Sequence, residues 1–208
     1  MELKKLFDGN KKWAEAQKKQ DPMFFERLSH QQSPKYLWIG CADSRVPANQ
    51  ILGLEPGEVF VHRNIGNLVL NSDINCLSVI EYAVKVLKVE HIIVGGHYGC
   101  GGVQTALQNT QMGLIDNWLR NIKDIYSKHK SELDELSKAE REDKMCELNV
   151  LSQVEHVCHT TVVQNAWNDG QKLSVHGLIY SLNDGILKDL AVRITSADQL
   201  RDIYKVTV

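Results

Sequence analysis

The chain has 208 residues, 43% of them hydrophobic, which is enough for one substantial core. Its formal net charge is −2 and its basic residues are scattered, so nucleic-acid binding is a poor expectation. The opening Met1-Glu2-Leu3-Lys4-Lys5-Leu6-Phe7 lacks the apolar centre of a secretory signal and no apolar run is long enough to span a bilayer, so the expectation is a cytoplasmic protein that engages no membrane.

The first thirty residues read as an N-terminal helical arm. Leu3, Leu6, Phe7 and Trp13 make a sparse apolar stripe, and Phe24, Phe25 and Leu28 follow Pro22. So polar an arm needs a surface to pack on, such as that of a partner subunit. Residues 35–208 read as the core of the same single domain. Tyr36-Leu37-Trp38-Ile39, ending in Gly40, is a short continuous apolar run of the kind buried in parallel sheets. Val59-Phe60-Val61-His62 is a second such strand, and His91-Ile92-Ile93-Val94 before Gly95-Gly96 is a third. Between these two, Leu77, Ile80, Val84 and Leu87 recur at helical spacing over 75–89. This is a βαβ pattern, which favours right-handed crossovers and a mostly parallel sheet.

Leu114, Trp118, Ile122 and Ile125 mark the next helix. Ser137-Lys138-Ala139-Glu140 is a capping box, and the stripe it opens runs through Val150, Val154, Val157 and Thr161 to Gly170. Leu173 to Tyr180 and Leu187 to Ile194 read as the last two strands, and Asn183-Asp184-Gly185 between them is a hairpin signal. Ser196 caps a short terminal helix. The expected fold is α/β: a mostly parallel central sheet of about four parallel strands plus an antiparallel edge strand, flanked by helices.

Five cysteines without a Cys-x-x-Cys suggest thiols or metal ligands rather than disulfides. Cys76, Cys146 and Cys158 sit in apolar helical patterns and read as small core residues. Cys41, in Gly40-Cys41-Ala42-Asp43-Ser44-Arg45, falls just past the first strand. His97 and Cys100, in Gly96-His97-Tyr98-Gly99-Cys100-Gly101-Gly102, fall just past the third. Sites in open α/β sheets collect at the carboxyl ends of strands, so the three residues converge if these strands are neighbours. Two thiolates and an imidazole suit Zn²⁺ and leave one corner of a tetrahedron open. Asp43 could fill that corner, so structural and catalytic zinc are not separated by the ligand count. His156-Val157-Cys158-His159 is a rival cluster, but it has no glycine loop or third partner and reads as ordinary helix. His30, His62, His91, His129 and His176 are read as ordinary residues too.

Cys41-x-Asp43-x-Arg45 followed by His97-x-x-Cys100-Gly101-Gly102 resembles the β-class carbonic anhydrases. The likeness extends through Val46-Pro47, Glu55-Pro56-Gly57-Glu58, His62-Arg63-Asn64-Ile65-Gly66-Asn67 and Asn183-Asp184-Gly185. Gly66, often Ala in that family, and Gly95, often Cys, are two departures. The resemblance implies one Zn²⁺ per subunit on Cys41, His97 and Cys100, and reversible hydration of carbon dioxide to bicarbonate by hydroxide held on the zinc. Asp43 would orient that hydroxide and Arg45 would hold Asp43. Gln32 would line the substrate pocket from across a subunit interface. A homodimer with exchanged arms, or a homotetramer built as a dimer of dimers, is implied as well. Because two thiolates offset the charge of the ion, activity is expected to rise toward alkaline pH.

The likeness is to the bicarbonate-regulated bacterial subgroup, in which the aspartate can leave its arginine and close the zinc. Trp38, Arg63 and Tyr180 match the residues that hold the regulatory bicarbonate there. Two other readings fit the same residues: a hydrolase of carbon disulfide or carbonyl sulfide, and a non-catalytic zinc-stabilised interaction module.

Overall fold

The computed structural model describes residues 2–30 and 32–206. The chain divides into two compact units, Met1–Ser33 and Pro34–Val208. In the first, helix α1 (Glu2–Gln20) is followed by α2 (Phe24–His30). Trp13, Phe24 and Phe25 meet edge to face, with ring centroids 5.0 to 6.3 Å apart. Leu3, Leu6 and Phe7 are exposed.

The second unit is built on a five-stranded sheet. In chain order its elements are β1 (Tyr36–Cys41), α3 (Ala48–Leu52), β2 (Val59–Asn64), α4 (Ile74–Glu81), β3 (His91–His97) and α5 (Gly101–Ala106). Then come α6 (Ile115–Lys128), α7 (Lys130–Asp134), α8 (Lys138–His159), α9 (Thr161–Asn168), β4 (Ser174–Tyr180) and β5 (Leu187–Ile194). The sheet order is β2-β1-β3-β4-β5, parallel throughout except for the β4–β5 pair. The expected architecture is therefore present, with β2 as the outer parallel strand.

The continuous apolar runs become the central strands. Leu37, Ile39, Ile92 and Val94, which share one face of the sheet, are fully buried in a single cluster with Ile80 and Val84 and with Val150 and Val154 of α8. The capping box forms: Ser137 accepts from the Glu140 N–H, and the Glu140 carboxylate accepts from the Ser137 N–H.

Three local features differ from the sequence pattern. The stripe expected over 75–89 is α-helical only to Glu81 and continues as a wider π-helical turn, Tyr82–Val86. The stripe expected to reach Gly170 unbroken is cut at Thr160, which turns extended and caps α9 through its hydroxyl. An N-cap residue that satisfies a free N–H makes such a break inexpensive. The terminal helix expected after Ser196 is a pair of short 3₁₀ turns, Ala197–Gln199 and Asp202–Tyr204, and the Ser196 side chain caps neither.

Trp38 explains two glycines. Its indole lies fully buried across Gly40 and Gly95, which are register partners on β1 and β3. A Cβ at Gly40 would sit 2.1 Å from Trp38 Nε1, and one at Gly95 would sit 2.1 Å from Cζ2. Any side chain at position 95, cysteine included, would displace the ring.

Candidate metal centre

β1 carries the chain to Cys41 and β3 carries it to His97. Gly99, in the left-handed region at φ 66°, turns the chain so that Cys100 follows within three residues and opens α5. β1 and β3 are hydrogen-bonded neighbours, and they lie where the chain leaves the sheet centre in opposite directions. The donor atoms of Cys41, His97 and Cys100 accordingly lie within 4.8 Å of one another, and all three residues are buried.

The donors fit Zn²⁺. The Cys41 and Cys100 sulfurs are 3.8 Å apart, the spacing that two tetrahedral Zn–S bonds of about 2.3 Å produce. His97 Nδ1 donates to the Tyr98 carbonyl at 3.0 Å, which leaves Nε2 facing the sulfurs, buried and without a hydrogen-bond partner. A second-sphere acceptor of this kind fixes the tautomer that a metal needs. The contact with Cys100 lowers the Cys41 thiol, against the opposing effect of burial and with help from His97 and the Gly66 and Asp43 N–H groups. The same contact and burial push Cys100 up. Burial pulls His97 down, but the Cys41 thiolate outweighs it and raises the imidazole overall.

Asp43 stands beside this trio. Its Oδ1 accepts from the Arg45 N–H and from Arg45 Nε, both at 2.9 Å, and its Oδ2 accepts from Arg45 Nη2 at 2.6 Å. The bidentate guanidinium keeps the carboxyl well below the usual carboxylate range. Oδ2 also lies 3.8 Å from His97 Nε2.

Arg63 is exposed and grips the backbone of the same loop. Its Nε donates to the Cys41 carbonyl at 2.9 Å, and its Nη2 donates to the Asp43 carbonyl. The strand register puts Trp38, Arg63 and Tyr180 on one face of the sheet, with Trp38 buried and Tyr180 half-buried. Gln32 belongs to the first unit, where it is exposed.

A buried polar chain from α8 braces the centre. Asn149 Nδ2 donates to the Gly66 carbonyl at 2.8 Å, and Gln153 Nε2 donates to Asn149 Oδ1 at 3.0 Å. Gln153 Oε1 in turn accepts from the Val69 N–H at 2.8 Å. Gly66 is the residue whose N–H reaches Cys41. Sequence reasoning missed this chain. Its one signal was two amides, four residues apart, on an otherwise apolar stripe. Asn149→Ala is expected to weaken zinc affinity by about 10–100-fold, as read by chelator competition. Unchanged affinity would show that the brace does not reach Cys41.

The rival cluster on α8 is not brought together as a metal site. His156 Nδ1 donates to the Val69 carbonyl at 2.8 Å, and His159 stacks on Tyr204 at 3.9 Å. Cys76, Cys146 and Cys158 are buried free thiols, as expected.

A family model described as "Carbonic anhydrase" matches residues 36–187, a span that contains the three donors, Asp43, Arg45, Arg63 and Tyr180. The chain belongs to the carbonic anhydrase family. It is 49% identical to a carbonic anhydrase of Emericella nidulans over 97% of this chain and 88% of the relative. A β-carbonic anhydrase of Coccomyxa, solved with acetazolamide, superposes with a TM-score of 0.91 at 43% identity, covering 94% of this chain and 89% of that one. One of two tetrameric β-carbonic anhydrases of Sordaria macrospora gives 0.89 at 39% identity, covering 93% and 98%. Among the described residues, no helix is long and apolar enough to cross a membrane.

Proposed function

We propose that the chain hydrates carbon dioxide reversibly to bicarbonate and a proton, with one Zn²⁺ per subunit held by Cys41, His97 and Cys100. The observation that carries this reading is the placement of a bidentately paired carboxylate, Asp43, beside three converging buried zinc-type donors. When bound, Zn²⁺ lowers the pKa of water and so supplies a nucleophile near neutral pH.

Asp43, kept ionised by Arg45, is an acceptor only. It takes the hydrogen bond of the attacking oxygen, which aims that oxygen's lone pair at the carbon of CO₂. Water gives up one proton to solvent before the attack; as the new C–O bond forms, one C=O electron pair moves onto oxygen, and bicarbonate keeps the remaining hydrogen. Arg45 holds the carboxylate without entering the reaction. Gln32 is proposed to line the pocket of a neighbouring subunit in a homodimer or homotetramer, an assembly that suits the tetrameric Sordaria relatives. Stopped-flow CO₂ hydration at about pH 8.5 on the zinc-loaded chain tests the proposal. Catalysis that chelation removes, that zinc restores, and that rises from neutral to alkaline pH is expected. A zinc-loaded chain with no activity over background would contradict it.

We further infer regulation by bicarbonate at Trp38, Arg63 and Tyr180, as in the bicarbonate-regulated bacterial subgroup, although the Emericella and Sordaria relatives are fungal. Arg63 offers planar donors to an oxyanion, and it already holds the carbonyls of Cys41 and Asp43. An anion that draws Arg63 away would free the Asp43 segment to leave Arg45 and turn toward Cys41, His97 and Cys100, where its carboxylate could serve as a further zinc ligand. Arg63→Ala is expected to abolish the bicarbonate dependence of the initial rate at low pH. A dependence identical to that of the wild-type chain rules this regulation out.

A further inference from the structure

A second group of donor side chains lies outside the Cys41–His97–Cys100 centre. The donor atoms of His62, Asp73 and Cys76 are within 4.8 Å of one another. His62 stands near the carboxyl end of β2, Asp73 is the N-cap of α4, and Cys76 lies in its first turn. His62 is 6% exposed and Cys76 is 0% exposed, while Asp73 is half-buried and gives the group a route to solvent. We propose that these three residues form a second metal site, for Zn²⁺ or a similarly borderline divalent cation, that clamps the loop between β2 and α4.

The donor set supports this assignment. Imidazole, thiolate and carboxylate are all zinc ligands, and one thiolate with one carboxylate balances the charge of a divalent ion in a buried setting. The helix start favours both anions, since its free N–H groups carry partial positive charge. Asp73 uses Oδ1 for the cap, accepting from the N–H groups of Asn75 at 3.1 Å and Cys76 at 3.3 Å. Its other oxygen remains for a cation. Asn64, whose amide exchanges two 2.7 Å bonds with the backbone of Leu68, donates from Nδ2 to His62 Nε2 at 3.3 Å, so an ion on that nitrogen would replace this long contact. Tetrahedral donors stand about 3.3–3.8 Å apart, so an ion would draw these three inward by about 1 Å or less.

The position gives the site a role. The segment from Ile65 to Ser72 connects β2 to the cap of α4, and it contains Gly66, which touches Cys41 on one side and Asn149 on the other. An ion on His62, Asp73 and Cys76 ties both ends of that segment together. It stabilises the folded chain because it binds no comparable site in the unfolded one.

The test is a zinc titration of the metal-free full-length chain against a chromophoric chelator, with thermal melting at each stoichiometry. Wild type is expected to bind two equivalents and to melt higher with the second than with the first. Asp73→Asn and Cys76→Ser are each expected to keep the first equivalent and weaken the second by at least about tenfold. Cys41→Ser is expected to lose the first and keep the second, which separates this site from the catalytic proposal. Asp73→Asn retains a cap, because an amide oxygen accepts the same backbone bonds. It therefore decides the matter if Cys76→Ser, at a fully buried position, fails to fold. A single equivalent in wild type, or a second equivalent unaltered in Asp73→Asn, overturns the proposal.

Discussion

Cys41→Ser is expected to strip the chain of catalytic zinc and of CO₂ hydration together, while leaving it folded. Serine keeps the size of the residue but replaces a soft anionic donor with a neutral hydroxyl. With Cys41 and Cys100 both as thiolates, a divalent ion at this centre carries no net charge. With one thiolate it carries a net positive charge in surroundings where Cys41, His97 and Cys100 are 6%, 1% and 1% exposed. Burying an uncompensated charge is costly. The loss of affinity should exceed the about 10–100-fold that removal of a second-sphere partner produces. Zinc content after dialysis and chelator competition measure it, and circular dichroism checks the fold. Retention of stoichiometric zinc at wild-type affinity would remove Cys41 from the ligand set.

Acid should act in the same direction on the wild-type chain. Metal binding needs both sulfurs as thiolates and His97 neutral. The Cys41 thiol is lowered by its contact with Cys100, whereas His97 and Cys100 are raised and must lose protons to bind. Zinc affinity is therefore expected to rise with pH through the neutral range and to be lost on acidification.

Asp43→Asn is expected to separate chemistry from metal binding. The variant retains zinc, since Asp43 lies against Arg45 in this structure and is not one of the three converging donors. Its Oδ1 can still accept from the Arg45 N–H, so the loop keeps its turn. The change removes the charge that pairs with the guanidinium and places an amide N–H where an acceptor is required. kcat/KM is expected to fall by about 10²-fold or more, with zinc content unchanged. The exposed Arg45 contributes little stability through this pair, as surface ion pairs generally do. Its value lies in holding the carboxylate in one orientation, and Arg45→Ala should show a smaller fall in rate with the same zinc content. Full activity in Asp43→Asn would show that the carboxylate has no part in the reaction.

Much of this was legible in the residues. The runs Tyr36–Ile39 and His91–Val94 announced buried parallel strands because both of their faces are apolar, and each ended in the glycine that precedes a donor. Ser137 and Glu140 announced a helix start because their reciprocal bonds are local. What the sequence concealed was set by tertiary contact. Gly95 has no room for a side chain because Trp38, distant in sequence, lies over it. Asn149 and Gln153 interrupt an apolar helix stripe, and their partners Gly66 and Val69 lie 83 and 84 residues away. The break at Thr160 followed from a hydroxyl cap competing with an apolar period that continued through it. His62, Asp73 and Cys76 were each unremarkable alone, and only the packing of α4 against the end of β2 makes them a group.

Zinc X-ray absorption of the chain loaded with one equivalent reads out whether Cys41, His97 and Cys100 hold the ion. Two sulfurs at about 2.3 Å and nitrogen or oxygen donors at about 2.0–2.1 Å are expected, with one sulfur lost in Cys41→Ser or Cys100→Ser and an imidazole signature lost in His97→Ala. A first shell with fewer than two sulfurs in the wild-type chain, or one unchanged by these substitutions, would contradict this ligand set.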